Sequence, residues 1–321
     1  MNVKYAKDNQ NMIFNILKQA KKQDRLSHAY LFYGEEGTGK KEMAYALACM
    51  IYCDNDGCLE CDTCKNILEG NHMNVDYIGI EANKTMISKD QITNLQDEFS
   101  KTSLVDGTRI YIVDGIDTAS MAAQNSLLKF IEEPVNQTPT VGIFLARDLS
   151  NVVTTIQSRC VLEHFKTIPI EKNINELVDS GKSLLDSILA ANLTNNLEEA
   201  CDLIESIDFN KTRDLFLELL NINKPKTSVM YYLNNQSFFS NQKNLSMLLE
   251  WIILFLEDCN LYQEGNDNLI LKPLCDKIKE YKRKNERELK NKLKMTLDLF
   301  NKLKYNVSAK NIFHELISNL I

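Results

Sequence analysis

Three short apolar runs stand out in the first half of the chain. They occupy residues 29–33, 109–114 and 141–146, and turn-forming or polar residues bound each of them. Runs of this length that are rich in β-branched and aromatic residues are typical of strands buried in a parallel sheet. We therefore predict strands at these three positions.

Helical periodicity fills the segments around these runs. Apolar residues recur at helical spacing in residues 11–22, residues 41–50 are helix-like, and a third helical stretch over 120–133 is stopped by Pro134. Strands that alternate with helices predict an α/β fold with a parallel sheet and flanking helices.

The pattern changes near residue 166. Residues 167–169 have the character of a connector, and only helical periodicity follows them. A chain of 321 residues is long enough for two or three hydrophobic cores. We expect a first domain over 1–166, a small helical domain over 167–207 and a further helical domain over 208–321.

The net charge and the hydropathy pattern limit the partners and the location. A formal net charge of -7 argues against a grip on DNA by the protein as a whole. The first twenty residues carry charges throughout, and no run of about 18 apolar residues occurs. We expect a cytoplasmic protein with no membrane partner.

A glycine-rich segment follows the first predicted strand. Gly34, Gly37, Gly39 and Lys40 have the spacing of a loop whose backbone N–H groups and lysine hold phosphates. Lys41 stands where such loops carry the Ser or Thr hydroxyl that binds Mg²⁺, and a lysine cannot ligate this metal. The sequence predicts the loop fold without Mg²⁺-dependent turnover, and leaves nucleotide binding without hydrolysis open.

The second predicted strand ends without a catalytic base. Asp114 stands where active P-loop enzymes carry the Asp that organises Mg²⁺, but Gly115 replaces the residue that activates water. This loss is independent of the change at Lys41. Asp117 is interpreted as a cap of the following helix.

Five of the nine cysteines lie within residues 49–64. Such clustering in a cytosolic chain favours a metal over disulfides. Cys58, Cys61 and Cys64 have thiolate spacing that suits tetrahedral Zn²⁺ in a closed structural site. Either Cys49 or Cys53 can supply the fourth ligand.

Arg159 follows the third predicted strand in the segment Ser158-Arg159-Cys160. An isolated arginine of this kind usually forms a surface salt bridge. In an oligomeric P-loop assembly it can instead stabilise charge on the γ-phosphate of a neighbouring subunit.

Together these markers resemble the AAA+ subunits of bacterial DNA polymerase III clamp loaders. The resemblance is carried by residues 28–32, by 125–134 (Asn-Ser-Leu-Leu-Lys-Phe-Ile-Glu-Glu-Pro) and by 158–160. The family's cysteine spacing of eight, two and two intervening residues selects Cys49 as the fourth zinc ligand. Beyond residue 166 the resemblance rests on helical character and on Asn306-Val307-Ser308 before a final helix.

Within that family, Lys41 and Gly115 distinguish the chain from the tau/gamma motor subunits, as does Ala146-Arg147 where the motors have Thr-Thr. The chain resembles the delta-prime type. The resemblance implies an AAA+ domain over 1–166 with a zinc module over 49–64, a lid over 167–207 and a collar over 208–321.

The resemblance also implies partners and a role. The chain would join tau/gamma and delta subunits in a pentamer, direct Arg159 into a neighbour's ATP site, and meet the sliding clamp and primed DNA only indirectly. It would carry structural Zn²⁺ and use no ATP or Mg²⁺ of its own.

Two other functions remain in competition. One is an active tau/gamma-type ATPase, which the residues at 41 and 115 disfavour. The other is a zinc-dependent nucleic-acid-binding module, which the negative charge and the lack of interleaved basic and aromatic residues around 49–64 disfavour.

Overall fold

The computed structural model describes residues 3–81, 84–100, 107–132, 138–221, 225–281, 286–305 and 307–320. Of the family-like segments, Glu133, Pro134 and Asn306 lie outside these residues. The chain divides into two compact units, Met1–Ile168 and Pro169–Ile321. None of the helices in the described ranges combines the length and the apolarity needed to cross a membrane.

The first unit is an α/β domain. Its elements in chain order are α1 (Val3–Asn9), α2 (Asn11–Lys22), β1 (Ala29–Tyr33), α3 (Lys40–Tyr52), α4 (Asp62–Leu68), β2 (Val75–Ile78), α5 (Lys89–Ser100), β3 (Arg109–Asp114), α6 (Met121–Glu132), β4 (Thr140–Ala146), α7 (Thr154–Gln157) and β5 (Val161–His164).

The five strands form one sheet in the order β2-β3-β4-β1-β5, and every neighbouring pair is parallel. Leu31 of β1 pairs with Phe144 of β4, and Ile112 of β3 pairs with Ile143 of β4. The α/β fold with a parallel sheet is thus confirmed. Both faces of the sheet are covered, because separate buried clusters of apolar side chains lie on its two sides.

The two edge strands were not predicted. β2 and β5 have four residues each, and their exposed positions break the apolar run that marks a central strand. β5 keeps none of its residues fully buried. Short edge strands of this kind lack the continuous hydrophobic signal by which β1, β3 and β4 were recognised.

The second unit is helical throughout its described residues. Its helices are α8 (Ile170–Asp179), α9 (Leu184–Ala191), α10 (Leu197–Glu205), α11 (Ile207–Leu219), α12 (Pro225–Asn235), α13 (Gln242–Gln263), α14 (Cys275–Tyr281), α15 (Glu286–Lys304) and α16 (Ala309–Leu320).

One hydrophobic core runs through this second unit. Trp251 of α13 is fully buried, and its indole N–H donates to the Leu189 carbonyl of α9 at 3.2 Å. Phe209 packs edge-on against the same indole, with ring centroids 5.1 Å apart. The core is continuous across residues 177–317, so the division into a lid over 167–207 and a collar over 208–321 stays a prediction.

The fully buried carboxylate of Asp258 ties α13 to the loop before α14. It accepts the backbone N–H groups of Ile270 and Leu271 at 3.0 and 2.6 Å. Burial raises the pKa of Asp258 above its ordinary value, because the charged carboxylate loses solvation there. Replacing the carboxylate removes this desolvation cost, which partly offsets the loss of the two hydrogen bonds.

We expect Asp258→Ala to lower the free energy of unfolding by about 2 kcal/mol, because two backbone N–H groups, that of Leu271 buried, lose their acceptor. Urea denaturation of the whole chain measures this change. The exposed Asp267 provides the control, since its replacement by alanine should shift the midpoint little. Equal shifts for the two variants would contradict a structural role of Asp258.

Candidate functional site

The glycine-rich loop connects β1 to α3 at the carboxyl end of the sheet, where parallel α/β sheets place their ligand sites. Gly34, Gly37 and Gly39 have φ values of +145°, +72° and +87°. A Cβ atom on Gly34 would lie 2.3 Å from the Phe165 carbonyl oxygen. The local backbone therefore requires glycine, and it has the curled form of a phosphate-binding loop.

This loop is closed by its own hydrogen bonds. The Lys40 ammonium donates to the carbonyl oxygens of Gly34 and Glu35 at 2.7 and 2.6 Å. The Thr38 hydroxyl donates to the same Glu35 oxygen at 2.8 Å. Burial lowers the pKa of Lys40, while Asp114 and nearby glutamates oppose the shift. The group that would contact phosphates is thus engaged within the loop.

The start of the chain packs against the loop from outside. Gln10 is almost fully buried, and its side-chain amide donates to the Thr38 carbonyl at 3.1 Å and to the Lys166 carbonyl at 2.7 Å. Ala6 of α1 is so close to Gly39 that a Cβ atom there would lie 2.8 Å from the Ala6 methyl. The loop is therefore held between α1 and the strand β5 that precedes Lys166.

Arg147, directly after β4, reaches across to the acidic residues of the loop. Its guanidinium lies 3.6 Å from the carboxylates of both Glu35 and Glu36. A cavity of about 980 Å³ opens beside these groups, and Asp117 and Asp148 add negative charge to its wall. The arginine therefore faces two carboxylates of the loop.

The expectation that Asp117 caps the next helix is wrong. Its carboxylate instead accepts the backbone N–H groups of Arg147 and Asp148, both at 3.0 Å. Ser120 takes the capping position of α6, because its hydroxyl accepts the Ala123 N–H at 3.2 Å. Asp117 thereby fixes the end of β4, which the chain order alone does not reveal.

Tyr77 of β2 contacts Asp114, the side chain to which the strand pattern assigns Mg²⁺. Its hydroxyl donates to the Asp114 carboxylate at 2.8 Å, and the Lys41 ammonium lies 4.3 Å from the centre of its ring. Burial, followed by the Asp114 charge, raises the pKa of Tyr77, so the phenol remains a donor. Sequence patterns missed Tyr77 because β2 itself was missed.

Four cysteine sulfur atoms lie together beside α3 and α4. The Sγ atoms of Cys53, Cys58, Cys61 and Cys64 all lie within 4.8 Å of one another. The Cys53–Cys58 and Cys53–Cys61 separations are 3.7 and 3.9 Å. Thiolates around a tetrahedral zinc ion with ordinary bond lengths are about 3.8 Å apart, so these four residues can hold the ion.

Backbone N–H groups point at three of these sulfur atoms. The amides of Cys58, Cys61 and Cys64 donate to the Sγ atoms of Cys53, Cys58 and Cys61 at 3.5, 3.4 and 3.5 Å respectively. Such bonds stabilise thiolates. The loop is also anchored to α2, because Asp56 pairs with Lys18 and Lys22 at 3.3 and 3.1 Å.

The structure brings Cys53, rather than Cys49, together with the other three sulfur atoms, and Cys49 as the fourth ligand stays a prediction. Cys49 lies inside α3, fully buried, and its Sγ contacts the Cys64 carbonyl oxygen at 3.9 Å. Cys53 follows the end of α3 in extended conformation and turns its thiol toward the other three. Residue spacing cannot distinguish the two, because one helical turn separates them.

The acidities of the two thiols differ in the same direction. Hydrogen bonding from the Cys58 N–H lowers the pKa of Cys53 to about 6, whereas burial raises that of Cys49 to about 11. Burial also raises the pKa of Cys64, so deprotonation of that thiol depends on the metal.

Arg159 lies just beyond α7 with its side chain 36% exposed. Its Nε donates to the Glu132 carboxylate, and its Nη1 donates to the Thr155 carbonyl oxygen at 3.0 Å. Within this chain, Arg159 therefore forms the surface ion pair that its isolated position suggests.

Comparison with known proteins adds a family. A model described as "DNA polymerase III, delta subunit" matches residues 9–169. The DNA polymerase III delta-prime subunit of Bacillus subtilis is 31% identical over 316 residues, which cover 96% of this chain and 95% of the relative. The DNA polymerase III tau subunit of the same organism is 30% identical over 224 residues, 65% of this chain and 39% of that protein.

Among solved structures, a DNA polymerase III gamma-subunit-related protein of Thermotoga maritima aligns over 94% of this chain and 97% of its own, with a TM-score of 0.48 and 14% identity. The match to the Bacillus subtilis delta-prime subunit, which spans nearly the full length of both chains, shows the family. With its phosphate-loop fold and cysteine cluster, the chain belongs to the delta-prime family of bacterial DNA polymerase III clamp-loader subunits.

Proposed function

We propose that this chain is a non-catalytic stator of the clamp loader, which lends Arg159 to the ATP site of a neighbouring tau/gamma subunit during DNA replication. The observation that carries this proposal is the closure of its own phosphate loop. Lys40 is bonded to two loop carbonyls, and Arg147 faces Glu35 and Glu36. Phosphate binding would have to break these contacts.

The residues at which P-loop enzymes bind Mg²⁺ support the same proposal. Asp114 is the only ligand-type side chain that the loop and strand patterns retain for Mg²⁺, and the Tyr77 hydroxyl is bonded to it. The nearby Lys41 ammonium adds positive charge. Gly115 offers no side chain to activate water, so the chain would use neither ATP nor Mg²⁺ in turnover.

The partners follow from the family. Relatives of this chain include delta-prime and tau subunits, and we propose that it assembles with tau/gamma and delta in a pentamer through the collar over 208–321. The sliding clamp and primed DNA would be reached through the assembly, in the cytoplasm. The zinc ion would be structural, because all four candidate ligands come from the protein.

In this role the chemistry belongs to the neighbour. Developing charge on the transferred phosphoryl group is stabilised by arginine from an adjacent subunit in other P-loop enzymes. Arg159 suits this task because a guanidinium stays charged and can donate two parallel hydrogen bonds to phosphate oxygens. It would supply transition-state stabilisation to the neighbour and none to its own loop.

The proposal is tested by two ATPase measurements. The purified chain should show no Mg²⁺-dependent hydrolysis above background. A complex reconstituted with tau/gamma and delta should hydrolyse ATP in response to clamp and primed DNA only when this chain is present. Turnover by the chain alone would support the active-ATPase alternative instead.

Restoring the two missing residues should not restore activity. We expect Lys41→Thr combined with Gly115→Glu to remain without turnover, because the Tyr77 hydroxyl would still be bonded to the Asp114 carboxylate. Residue 115 also has φ +94°, and an added Cβ would lie 3.3 Å from Ile80. Mg²⁺-ATPase assays on the double variant, with the unchanged chain as control, measure this. Hydrolysis above background would show that residues 41 and 115 alone disarm the site.

A further inference from the structure

We infer that Glu132 is a positioning residue for Arg159: its carboxylate holds the guanidinium in the orientation in which the remaining donors face a neighbouring subunit. This inference rests on the proposed function, because it concerns how the arginine is presented. It adds a residue that the glycine loop, the strand motif and the cysteine cluster do not contain.

The two side chains stand on a common rigid frame. Glu132 ends the described part of α6, and Arg159 lies two residues beyond α7. Gln124 of α6 is 2% exposed and bridges the elements: its amide donates to the Asn151 carbonyl at 2.9 Å, and its oxygen accepts the Val153 N–H at 2.8 Å.

Apolar packing completes this frame. Leu127 of α6 and Ile156 of α7 are both fully buried in the same cluster on one side of the sheet. The backbones that carry Glu132 and Arg159 are therefore fixed relative to each other by the core. The ion pair needs to order only the side chains.

The pair uses one side of the guanidinium. Glu132 takes the Nε–H and the Thr155 carbonyl takes one Nη1 hydrogen. Arginine has five donors, so three are left without an acceptor among the described residues. These three include both Nη2 hydrogens, which form the edge able to meet phosphate oxygens. The pair thereby favours one orientation of a flexible side chain before it meets its target.

The pair orients Arg159 without withholding it. The Glu132 and Arg159 side chains are 48% and 36% exposed, and exposed ion pairs are weak because water and salt screen them. A phosphate group carries more charge and accepts two bonds from the free edge, so it does not need to displace Glu132.

The test compares variants in the reconstituted complex. We expect Glu132→Ala to lower kcat for ATP at the served site about tenfold, with the KM for ATP changed less than about twofold, because misorientation acts in the transition state. Glu132→Gln keeps an acceptor oxygen for the Nε–H and should recover most of the activity. Glu176→Ala removes an exposed carboxylate in α8 and serves as control.

The decisive arm is Glu132→Ala in an Arg159→Ala background, where it should have no further effect. An equal loss in both backgrounds would assign Glu132 a structural role and overturn the inference. If Arg159→Ala lowers hydrolysis but Glu132→Ala does not, the positioning role alone fails. If Arg159→Ala itself changes nothing, the proposed function fails, and the positioning role fails with it.

Discussion

Arg159→Ala is expected to leave folding and assembly unchanged while lowering ATP hydrolysis at the neighbouring site by about a hundredfold or more. Arginines supplied in trans contribute factors of about 10³–10⁵ in related P-loop enzymes, and the smaller figure allows for residual stabilisation by the motor's own residues. Folding should tolerate the change, because Arg159 is partly exposed and its ion pair to Glu132 lies at the surface.

The measurement is single-turnover hydrolysis in the reconstituted complex, with gel filtration as the check on assembly. Arg159→Lys keeps the charge but loses the planar fork, so it should recover little activity. The exposed Arg25, in the turn after α2, provides a matched control, since its replacement by alanine also removes one positive charge from the surface. Normal hydrolysis by the Arg159→Ala complex would refute the trans role.

Cys53→Ser is expected to abolish zinc binding and to destabilise the first unit by about 3–5 kcal/mol. Structural zinc sites contribute their binding free energy to folding. Here the ion would hold residues 53–64, a loop with left-handed residues at Asp56, Gly57 and Leu59 and few buried side chains. Removing one thiolate opens the coordination sphere and leaves that loop without its centre.

Cys49→Ser provides the matched comparison, because family spacing selects Cys49, whereas Cys53 is the residue whose Sγ lies with the other three. The Cys49 variant should retain zinc and lose only the stability that a buried thiol contributes to the core. The amount of zinc released per chain when the thiols are modified, measured for both variants, decides between the two residues. Zinc lost from the Cys49 variant and kept in the Cys53 variant would reverse the assignment.

The central sheet could be predicted because its inner strands bury nearly every residue. β1, β3 and β4 are continuous apolar runs, and the glycine loop after β1 places the site at their carboxyl ends. β2 and β5 escaped prediction because an edge strand buries only part of its surface. Tyr77 was missed together with β2, and its contact with Asp114 joins residues far apart in sequence.

The chemistry of the site divides along the same line. Lys41 and Gly115 determine by residue type alone that the Mg²⁺ ligand and the base are missing. Their effect does not depend on where other elements lie, since a lysine cannot ligate the metal and a glycine carries no side chain. The glycine spacing likewise determines the loop, because its positive φ values admit no other residue without strain.

Only the tertiary structure decided which side chains contact the residues of the site. Tyr77 meets Asp114, Arg147 meets Glu35 and Glu36, and Glu132 meets Arg159 because packed helices and strands bring distant segments together. Cys53 rather than Cys49 lies with the other three sulfur atoms, because Cys49 is inside α3 whereas Cys53 follows its end in extended conformation. Residue types thus determined which catalytic groups this phosphate loop lacks. Long-range packing, which no local pattern encodes, decided which side chains contact the residues that remain.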